Sequence, residues 1–236
     1  MMIEKKSPTL KDKNKNERSN KMKDYEVYIF DLDYTILIPD WSKEDDYLKE
    51  RIPLEEQERF FKEKQDILNE YEQTFPKYDF KTLSFFFKEK GFTVTEETIE
   101  GWMYHNGETI KDEVVDGVIE LFKHLKEKGK TIKILTSWFS GTQIPRLKRA
   151  GIYEYIDEII AGEDAMKPKK EAFLLAVGKH KKEDCLVIGD SYKSDKLGAE
   201  NAGIDCYLVD KEHTIRQLYE QIIYNEKNTL KYSLSI

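Results

Sequence analysis

Two short apolar stretches, far apart in this 236-residue chain, each end in aspartates. Residues 27–30 are followed by Asp31 and Asp33, and residues 186–188 are followed closely by Asp190. When two strands deliver carboxylates at their carboxyl ends, these groups can converge on one hard, oxygen-seeking cation. Beside such a cation an aspartate can attack phosphorus, which is otherwise difficult for one anion to do to another. The two stretches therefore indicate phosphoryl transfer.

The apolar pattern predicts five buried strands, separated from the second strand onward by helices. The predicted strands are residues 27–30, 132–135, 156–160, 186–188 and 206–209. Three of the intervening helices are predicted to end at glycines, namely Gly129, Gly151 and Gly203. Parallel strands need crossovers, and helical crossovers cover both faces of a sheet. The sequence therefore predicts an α/β fold with a doubly wound, mostly parallel, Rossmann-like sheet.

The connection between the first and second predicted strands is much longer than the dozen or so residues that a crossover needs. It covers residues 38–113, and its apolar residues recur at helical spacing. These residues predict an inserted α-helical cap domain whose aromatic side chains pack its own core. Because the insertion follows directly after Asp31 and Asp33, the cap is expected to act as a lid beside them. Its candidate substrate contacts are Arg51, Arg59, Trp102, Tyr104 and His105.

These patterns divide the chain into four parts. A catalytic core is predicted over residues 25–37 and 114–224, interrupted by the cap at 38–113. Residues 1–24 hold eight Lys or Arg and four Asp or Glu, and this basic segment is expected to be a disordered tail. Residues 225–236 carry no chemical signal and are assigned to a C-terminal tail.

The charge distribution argues against a broad nucleic-acid interface. The chain carries a net charge of −7, and because residues 1–24 carry +4, the rest carries −11 rather than the basic face that nucleic acids require. No apolar run approaches the ~20 residues that span a membrane, so no membrane partner is expected. Cys185 and Cys206 lie in separate apolar runs and are expected to be reduced thiols of a cytoplasmic protein. The sequence gives no indication of the oligomeric state.

Four motifs at predicted strand ends and helix starts carry a family resemblance. They are Asp31-Leu32-Asp33-Tyr34-Thr35, Ile132-Lys133-Ile134-Leu135-Thr136-Ser137, Lys167-Pro168 with Phe173, and Gly189-Asp190-Ser191 with Asp195. Each motif alone occurs by chance in many proteins, and an isolated Asp-x-Asp pair can be a solvated strand end. In this order, they resemble the haloacid dehalogenase superfamily, specifically its phosphatases with an α-helical cap inserted after the first strand. The resemblance covers residues 25–224.

The resemblance implies a Mg²⁺-dependent phosphomonoester hydrolase that acts on a small soluble phosphorylated metabolite through an aspartyl-phosphate intermediate. In this pattern Asp31 is the nucleophile. Asp33 is the acid that protonates the leaving alkoxide and then the base that activates water. Lys167 balances the negative charge of the nucleophile, the phosphate and the carboxylates that bind the metal. The Pro168 that follows Lys167 is expected in the first turn of a helix.

The same resemblance implies the remaining site residues. Phosphate is bound by the Thr136 hydroxyl, by the Ser137 backbone and by Lys167. Mg²⁺ is bound by the Asp31 carboxylate, the Asp33 backbone carbonyl and Asp190. Thr35, Ser191 and Asp195 are expected to orient these groups without binding the metal themselves. Trp138 stands where the family often has a small or amide residue, and this difference is expected to affect the choice of substrate.

The sequence leaves two alternative functions open and argues against a third. One is a phosphomutase of the same family, similar to β-phosphoglucomutase, which keeps the phosphoryl group on its product. Another is a catalytically idle phosphate-binding or regulatory protein on the same fold, although the intact set of motif residues argues against it. A response-regulator receiver also has an acidic pocket and a lysine, but it has no place for an insertion at residues 38–113.

Overall fold

The computed structural model describes residues 22–233. The basic tail predicted over residues 1–24 therefore lies, apart from residues 22–24, outside the described residues. Among the residues that are described, no helix has the length and apolar character needed to cross a membrane.

A five-stranded parallel sheet forms the centre of the core. Its strands are β1 (Val27–Phe30), β4 (Thr131–Leu135), β5 (Glu158–Ile160), β6 (Cys185–Gly189) and β7 (Asp205–Leu208). They lie in the order β5-β4-β1-β6-β7, and every pairing is parallel. The first strand is thus central, with the strands that precede Thr136 and Asp190 on either side of it. The predicted doubly wound parallel sheet is confirmed.

Strand β1 is buried on both faces because its alternate residues enter two different apolar cores. Tyr28 and Phe30 pack into one core, which contains Phe122. Val27 and Ile29 pack into the other, which contains Phe173. All four strand residues are buried, as expected for a parallel sheet with helices on both faces.

Helices cover the two faces of the sheet. They are α5 (Val118–Glu127), α6 (Ser140–Arg149), α7 (Lys170–Val177), α8 (Leu197–Ala202) and α9 (Ile215–Ser233). Helix α7 begins at Lys170, so Pro168 precedes the helix by two residues instead of lying in its first turn, and the Lys167–Pro168 peptide is cis.

The C-terminal helix α9 runs through residues 225–233, which the sequence assigned to a separate tail. Side chains before and after residue 225 fix this helix to the core. Ile222 is buried, and Glu226 contacts His124 Nε2 at 2.9 Å and Lys128 Nζ at 2.8 Å. The helix is therefore anchored on both sides of the predicted boundary, by the buried Ile222 before it and by the paired Glu226 after it.

A two-stranded antiparallel ribbon joins the insertion to the core. It consists of β2 (Leu37–Asp40) and β3 (Lys111–Val114), with Leu37 opposite Val114. The sequence did not predict this ribbon, because Pro39 is unfavourable in a strand and β3 is mostly charged. The ribbon contains both boundaries of the predicted cap at residues 38 and 113.

Helices make up the rest of the insertion, as predicted. They are α1 (Asp46–Lys49), α2 (Leu54–Thr74), α3 (Phe80–Glu89) and α4 (Glu96–Thr109). Their apolar faces form one core that also contains Phe139 and Met166 from the catalytic half. Helix α4 packs closely on α6, where Thr142 Oγ1 donates to the Met103 carbonyl at 2.9 Å. A Cβ at Gly141 would overlap the Met103 side chain, so the glycine allows this contact. The cap is thus docked directly on the core.

Candidate active site

The carboxyl ends of β1, β4 and β6 surround a cavity of about 220 Å³. Its lining residues are Asp31, Asp33, Glu72, Thr136, Ser137, Trp138, Lys167, Ser191 and Ser194. This position agrees with the rule that ligands of open parallel sheets bind beyond the strand carboxyl ends, where the direction of winding changes. The motif residues, distant in sequence, therefore share one concave site.

Lys167 is the central cation of the site. Its ammonium contacts Asp31 Oδ1 at 2.5 Å and Asp195 Oδ1 at 2.7 Å, and its side chain is only 4% exposed. Burial opposes the charge of this amine, but the Asp31 and Asp195 carboxylates outweigh burial and raise the pKa of Lys167 above its usual value. Lys167 is therefore a fixed positive charge against the predicted nucleophile.

The carboxylates around Lys167 exceed the charge that one ammonium can balance. Burial raises the pKa of Asp31, and nearby Asp195 and Asp33 add to this rise while Lys167 opposes it. Burial also raises the pKa of Asp190, with a further contribution from Asp195. Such shifts mean that the ionised forms lack sufficient positive charge nearby.

The same carboxylates fit a hard divalent cation. Asp31, Asp190 and Asp195 can each offer one oxygen, and these atoms lie within 4.8 Å of one another. An all-oxygen donor set suits Mg²⁺, and the cation would supply the missing positive charge. The predicted ligands Asp31 and Asp190 thus lie together, and Asp195 joins them more closely than the sequence indicated. The Asp33 side chain is directed to an arginine, and the predicted metal ligand of this residue is its backbone carbonyl.

The loops around the carboxylates are fixed by hydrogen bonds. Thr35 Oγ1 donates to Asp190 Oδ1 at 3.3 Å, which links the first and last motifs. Ser191 N donates to Asp195 Oδ2 at 3.0 Å, and Ser191 Oγ accepts from the backbone N–H of Ser194 at 3.1 Å. A Cβ at Gly189 would overlap the Asp195 carboxylate, so glycine is required at that position. These contacts agree with the orienting roles expected of Thr35 and Ser191, whereas Asp195 also lies among the carboxylates that fit the cation.

Arg146 on helix α6 is a site residue that the sequence analysis missed. It is fully buried, and its Nη2 contacts Asp33 Oδ1 at 2.6 Å and Asp112 Oδ1 at 2.5 Å. Burial opposes its charge, but bonds to Asp112 and Asp33 raise the pKa of Arg146. Since Asp112 belongs to strand β3, the arginine joins the predicted acid–base residue to the ribbon that carries the cap. A buried arginine is normally paired with an acidic group. An arginine with no acidic residue nearby in the sequence can therefore indicate an acidic partner from a distant part of the chain.

The network continues from Arg146 to the predicted phosphate-binding hydroxyl. Arg146 Nη1 donates to Gln143 Oε1 at 2.6 Å, and Gln143 Nε2 donates to Thr136 Oγ1 at 3.0 Å. Because the Thr136 oxygen already accepts this bond, its own O–H is available to donate. A donor directed into the cavity suits a phosphoryl oxygen.

Of the five candidate contacts in the cap, Trp102 lines a second cavity that adjoins the first. Arg59 instead donates to the carbonyls of Lys90 at 3.1 Å and Gly91 at 2.7 Å, which joins two cap helices. Of the other three candidates, Arg51 stacks on the Tyr47 ring, and the His105 ring also contacts Tyr47. Tyr104 is exposed.

Glu72 of helix α2 is a cap residue at the site that the sequence analysis missed. It lines both cavities, and its Oε1 accepts from the Tyr78 hydroxyl at 2.7 Å. Burial raises the pKa of its carboxyl, whereas Tyr78 and nearby lysines lower it. No sequence pattern distinguishes Glu72 from the other acidic residues of a long amphipathic helix.

Comparisons with known proteins agree with this geometry. Residues 25–203 match the family of haloacid dehalogenase-like hydrolases. The chain is 35% identical over 98 residues to the pyrimidine 5'-nucleotidase YjjG of Escherichia coli, covering 39% of this chain and 43% of that protein. It is 32% identical over 133 residues to the pyrophosphatase PpaX of Halalkalibacterium halodurans, covering 52% and 61%. The matched region thus spans less than two thirds of these relatives.

The fold comparison extends over more of the chain. The structure of the HAD-hydrolase YfnB of Bacillus subtilis, bound to magnesium, superposes with a TM-score of 0.59 and 25% identity. The superposition covers 86% of this chain and all of that one. Because the family match includes most of the chain and all four motifs, this protein belongs to the haloacid dehalogenase-like hydrolases.

Proposed function

We propose that the protein is a Mg²⁺-dependent phosphomonoester hydrolase that forms an aspartyl-phosphate on Asp31. The observation that carries this proposal is the position of Lys167, which contacts Asp31 and Asp195 at once beside Asp190. A lysine placed in this way balances a nucleophilic carboxylate and the phosphate that it attacks. The named relatives, a nucleotidase and a pyrophosphatase, agree with a phosphate substrate.

Asp31, Asp190 and Asp195 would hold the metal, together with the predicted carbonyl of Asp33. When bound, Mg²⁺ neutralises charge on the carboxylates and the phosphate. The chain's own residues then define where phosphate lies. Lys167 and the Thr136 hydroxyl face one cavity with Asp31, and the Ser137 backbone is the further predicted donor.

The reaction proceeds in two displacements. An Asp31 carboxylate oxygen bonds to phosphorus as the bond from phosphorus to the leaving oxygen breaks, and Asp33 gives its proton to that oxygen. Asp33 then takes a proton from water, whose oxygen bonds to phosphorus and releases Asp31 and inorganic phosphate. Arg146 orients Asp33 for both transfers through its bond to one carboxylate oxygen.

Release of phosphate from an aryl phosphate by the purified protein tests the proposal. We expect turnover with Mg²⁺, loss of turnover in EDTA, and recovery when Mg²⁺ is restored. Full activity in EDTA would contradict the metal assignment. Stable phosphate transfer between two positions of a sugar phosphate, without release of inorganic phosphate, would favour a phosphomutase.

A further inference from the structure

All three tryptophans of the chain line one cavity, of about 370 Å³, between the cap and the candidate active site. They are Trp41, Trp102 and Trp138, and Tyr78 lies beside them. This volume falls within the roughly 300–1,000 Å³ of small-molecule sites. The proposed hydrolysis of phosphate does not use this aromatic cavity, so its lining bears on the rest of the substrate.

The aromatic walls are held in fixed orientations. Trp102 Nε1 donates to the Glu44 carbonyl at 2.8 Å, and the Trp102 ring contacts Trp138 with centroids 5.2 Å apart at 70°. Trp41 Nε1 donates to the Tyr34 hydroxyl at 2.9 Å, and the Arg146 guanidinium lies 5.3 Å from the Trp41 ring centroid. The first motif thus positions one wall of the aromatic cavity.

The polar lining of the aromatic cavity selects against a second anionic group. It consists of the Glu44 and Glu72 carboxylates and two amides, those of Gln65 and Asn106. Of the described residues that line it, none is Lys, Arg or His. Lys64 pairs with Glu44 at 3.3 Å but also with Asp45, so the carboxylates outnumber this cation. A further phosphate or carboxylate would be repelled there, whereas N–H and O–H donors would be bound.

The two cavities adjoin in a definite order. Glu72 and Trp138 line both, so the phosphate site, this junction and the aromatic cavity follow one another. Tyr78 already donates to one oxygen of Glu72, and the other oxygen is available to hydroxyl groups at the junction. This order corresponds to phosphate, ribose and base.

We infer that the substrate is a nucleoside 5'-monophosphate, with its base among the three tryptophans and its ribose hydroxyls at Glu72. This inference rests on the proposed phosphatase function for the position of the phosphate. Aromatic stacking suits a planar base, and the carboxylates and amides suit its N–H groups. Stacking one base on an aromatic side chain increases affinity roughly 10- to 100-fold.

A substrate panel tests the inference by kcat/KM. It compares nucleoside 5'-monophosphates with a hexose phosphate, phosphocholine, a sugar bisphosphate and acetyl phosphate, which has no group large enough for the aromatic cavity. We expect nucleoside monophosphates to be preferred to the other phosphate esters by roughly 10-fold or more. Preference for phosphocholine, a hexose phosphate or a bisphosphate would overturn the inference and leave the phosphatase function intact.

A variant pair sharpens the panel. Trp41→Leu should lower the ratio of nucleoside monophosphate to acetyl phosphate hydrolysis by roughly 10-fold, because a stacking wall is lost. Phe85→Leu is the matched control, since Phe85 is an exposed cap aromatic outside the aromatic cavity, and it should leave the ratio unchanged. An unchanged ratio in Trp41→Leu would contradict the assignment of the base.

A binding measurement tests the base site separately from the proposed phosphatase activity. Because every tryptophan lines the aromatic cavity, tryptophan fluorescence of Asp31→Asn protein reports on its occupant. Adenosine or uridine monophosphate should quench this fluorescence, and inorganic phosphate should not. If the nucleotides quench the fluorescence but the unaltered protein has no phosphatase activity, the base site would be supported and the hydrolase refuted. Hydrolysis of the panel without any quenching would refute the base site alone.

Discussion

The two sides of the site are built from different chemistry. On the core side, carboxylates at strand ends surround Lys167, and Arg146 pairs with Asp33. On the cap side, aromatic rings and carboxylates line the aromatic cavity, and no described lining residue is cationic. Charged groups at fixed positions stabilise a reacting phosphate, whereas aromatic surfaces bind a neutral group by contact. On the proposed function, the core would perform the reaction and the cap would select the leaving group.

The division is not complete, because one residue from each side crosses it. Glu72 belongs to cap helix α2 but lines the cavity that holds Asp31 and Lys167, and Trp138 follows core strand β4 but lines the aromatic cavity. Changes at these two positions should therefore affect both reaction and selection. Changes at other positions of the site should affect either the reaction or the choice of substrate, but not both.

The largest effect is expected from Asp31→Asn. An amide cannot act as the nucleophile, so kcat should fall on the order of 10⁴-fold or more for every substrate. Phosphate release measured with an aryl phosphate checks this. Asp210→Asn, an exposed change in the turn after β7, should leave kcat unchanged. Activity in Asp31→Asn close to that of the control would remove Asp31 from the reaction.

A smaller effect is expected from Asp33→Asn. Loss of the general acid should slow hydrolysis by about 10²–10⁴-fold for an alkyl phosphate. The loss should be less for an aryl phosphate with a very good leaving group, because that oxygen needs no proton as it departs. A series of aryl phosphates of increasing leaving-group pKa measures this trend. Equal losses throughout the series would indicate that Asp33 is structural.

Arg146→Lys should repeat the leaving-group trend of Asp33→Asn at reduced size. Lysine keeps the charge but cannot hold Asp33 and Asp112 with the same fork of N–H groups. We expect about a 10-fold loss in kcat for alkyl phosphates, with little change in KM. Steady-state kinetics on the same aryl series checks this. A uniform loss, or one confined to KM, would contradict the role of Arg146 in orienting Asp33.

Magnesium should stabilise the protein more at high pH. Burial raises the pKa of Asp31 and Asp190, so their contribution to stability is greatest at low pH and is lost as pH rises through the folded pKa. Mg²⁺ requires the ionised carboxylates, so its own contribution grows over the same range. Melts with and without Mg²⁺ should give a larger rise in Tm at about pH 8 than at about pH 5.5.

The Asp190→Asn variant is the control for the metal. It should lose most of the rise in Tm at the higher pH, since one proposed ligand is gone. An equal rise at both pH values in the unaltered protein would contradict binding of Mg²⁺ to these carboxylates.

The main features of the core could be predicted because their signals are local. Apolar runs define the strands, and parallel strands bring their carboxyl ends to one edge, so Asp31, Thr136 and Asp190 could be expected together. The partner of Asp33 could not be predicted. Arg146 lies 113 residues away in sequence, and helical periodicity does not reveal which acidic group a buried arginine will contact.

The cap was predicted as a helical lid over the site, but the residues that face the site could not be selected from the sequence. Amphipathic spacing shows that a helix has a buried face without showing whether that face meets other helices or a cavity. Of the candidates in the cap, Trp102 lies at the aromatic cavity, whereas Arg59 bonds to the backbone of another cap segment. Glu72 lies at the site although nothing in its sequence neighbourhood distinguishes it.

The smallest catalytic effect is expected from Arg59→Ala. Arg59 joins α2 to the end of α3 and stacks on Phe92, so its loss should destabilise the fold by about 1–3 kcal/mol. Urea unfolding checks the stability, and the aryl phosphate assay should give kcat within a few fold of the original. Lys62→Ala, on the same helix, is the matched control for stability. Loss of all activity in folded Arg59→Ala would place an essential group in the cap.

Trapping the covalent intermediate tests most directly the claim that the core performs the reaction. Protein mixed with an aryl phosphate and Mg²⁺ is quenched in acid and reduced with borohydride, which converts an aspartyl-phosphate to homoserine. Peptide mass spectrometry should then find homoserine at position 31, and none in Asp31→Asn protein or in the absence of substrate. Rapid phosphate release with no modification at Asp31, or with modification at another carboxylate, would contradict the account.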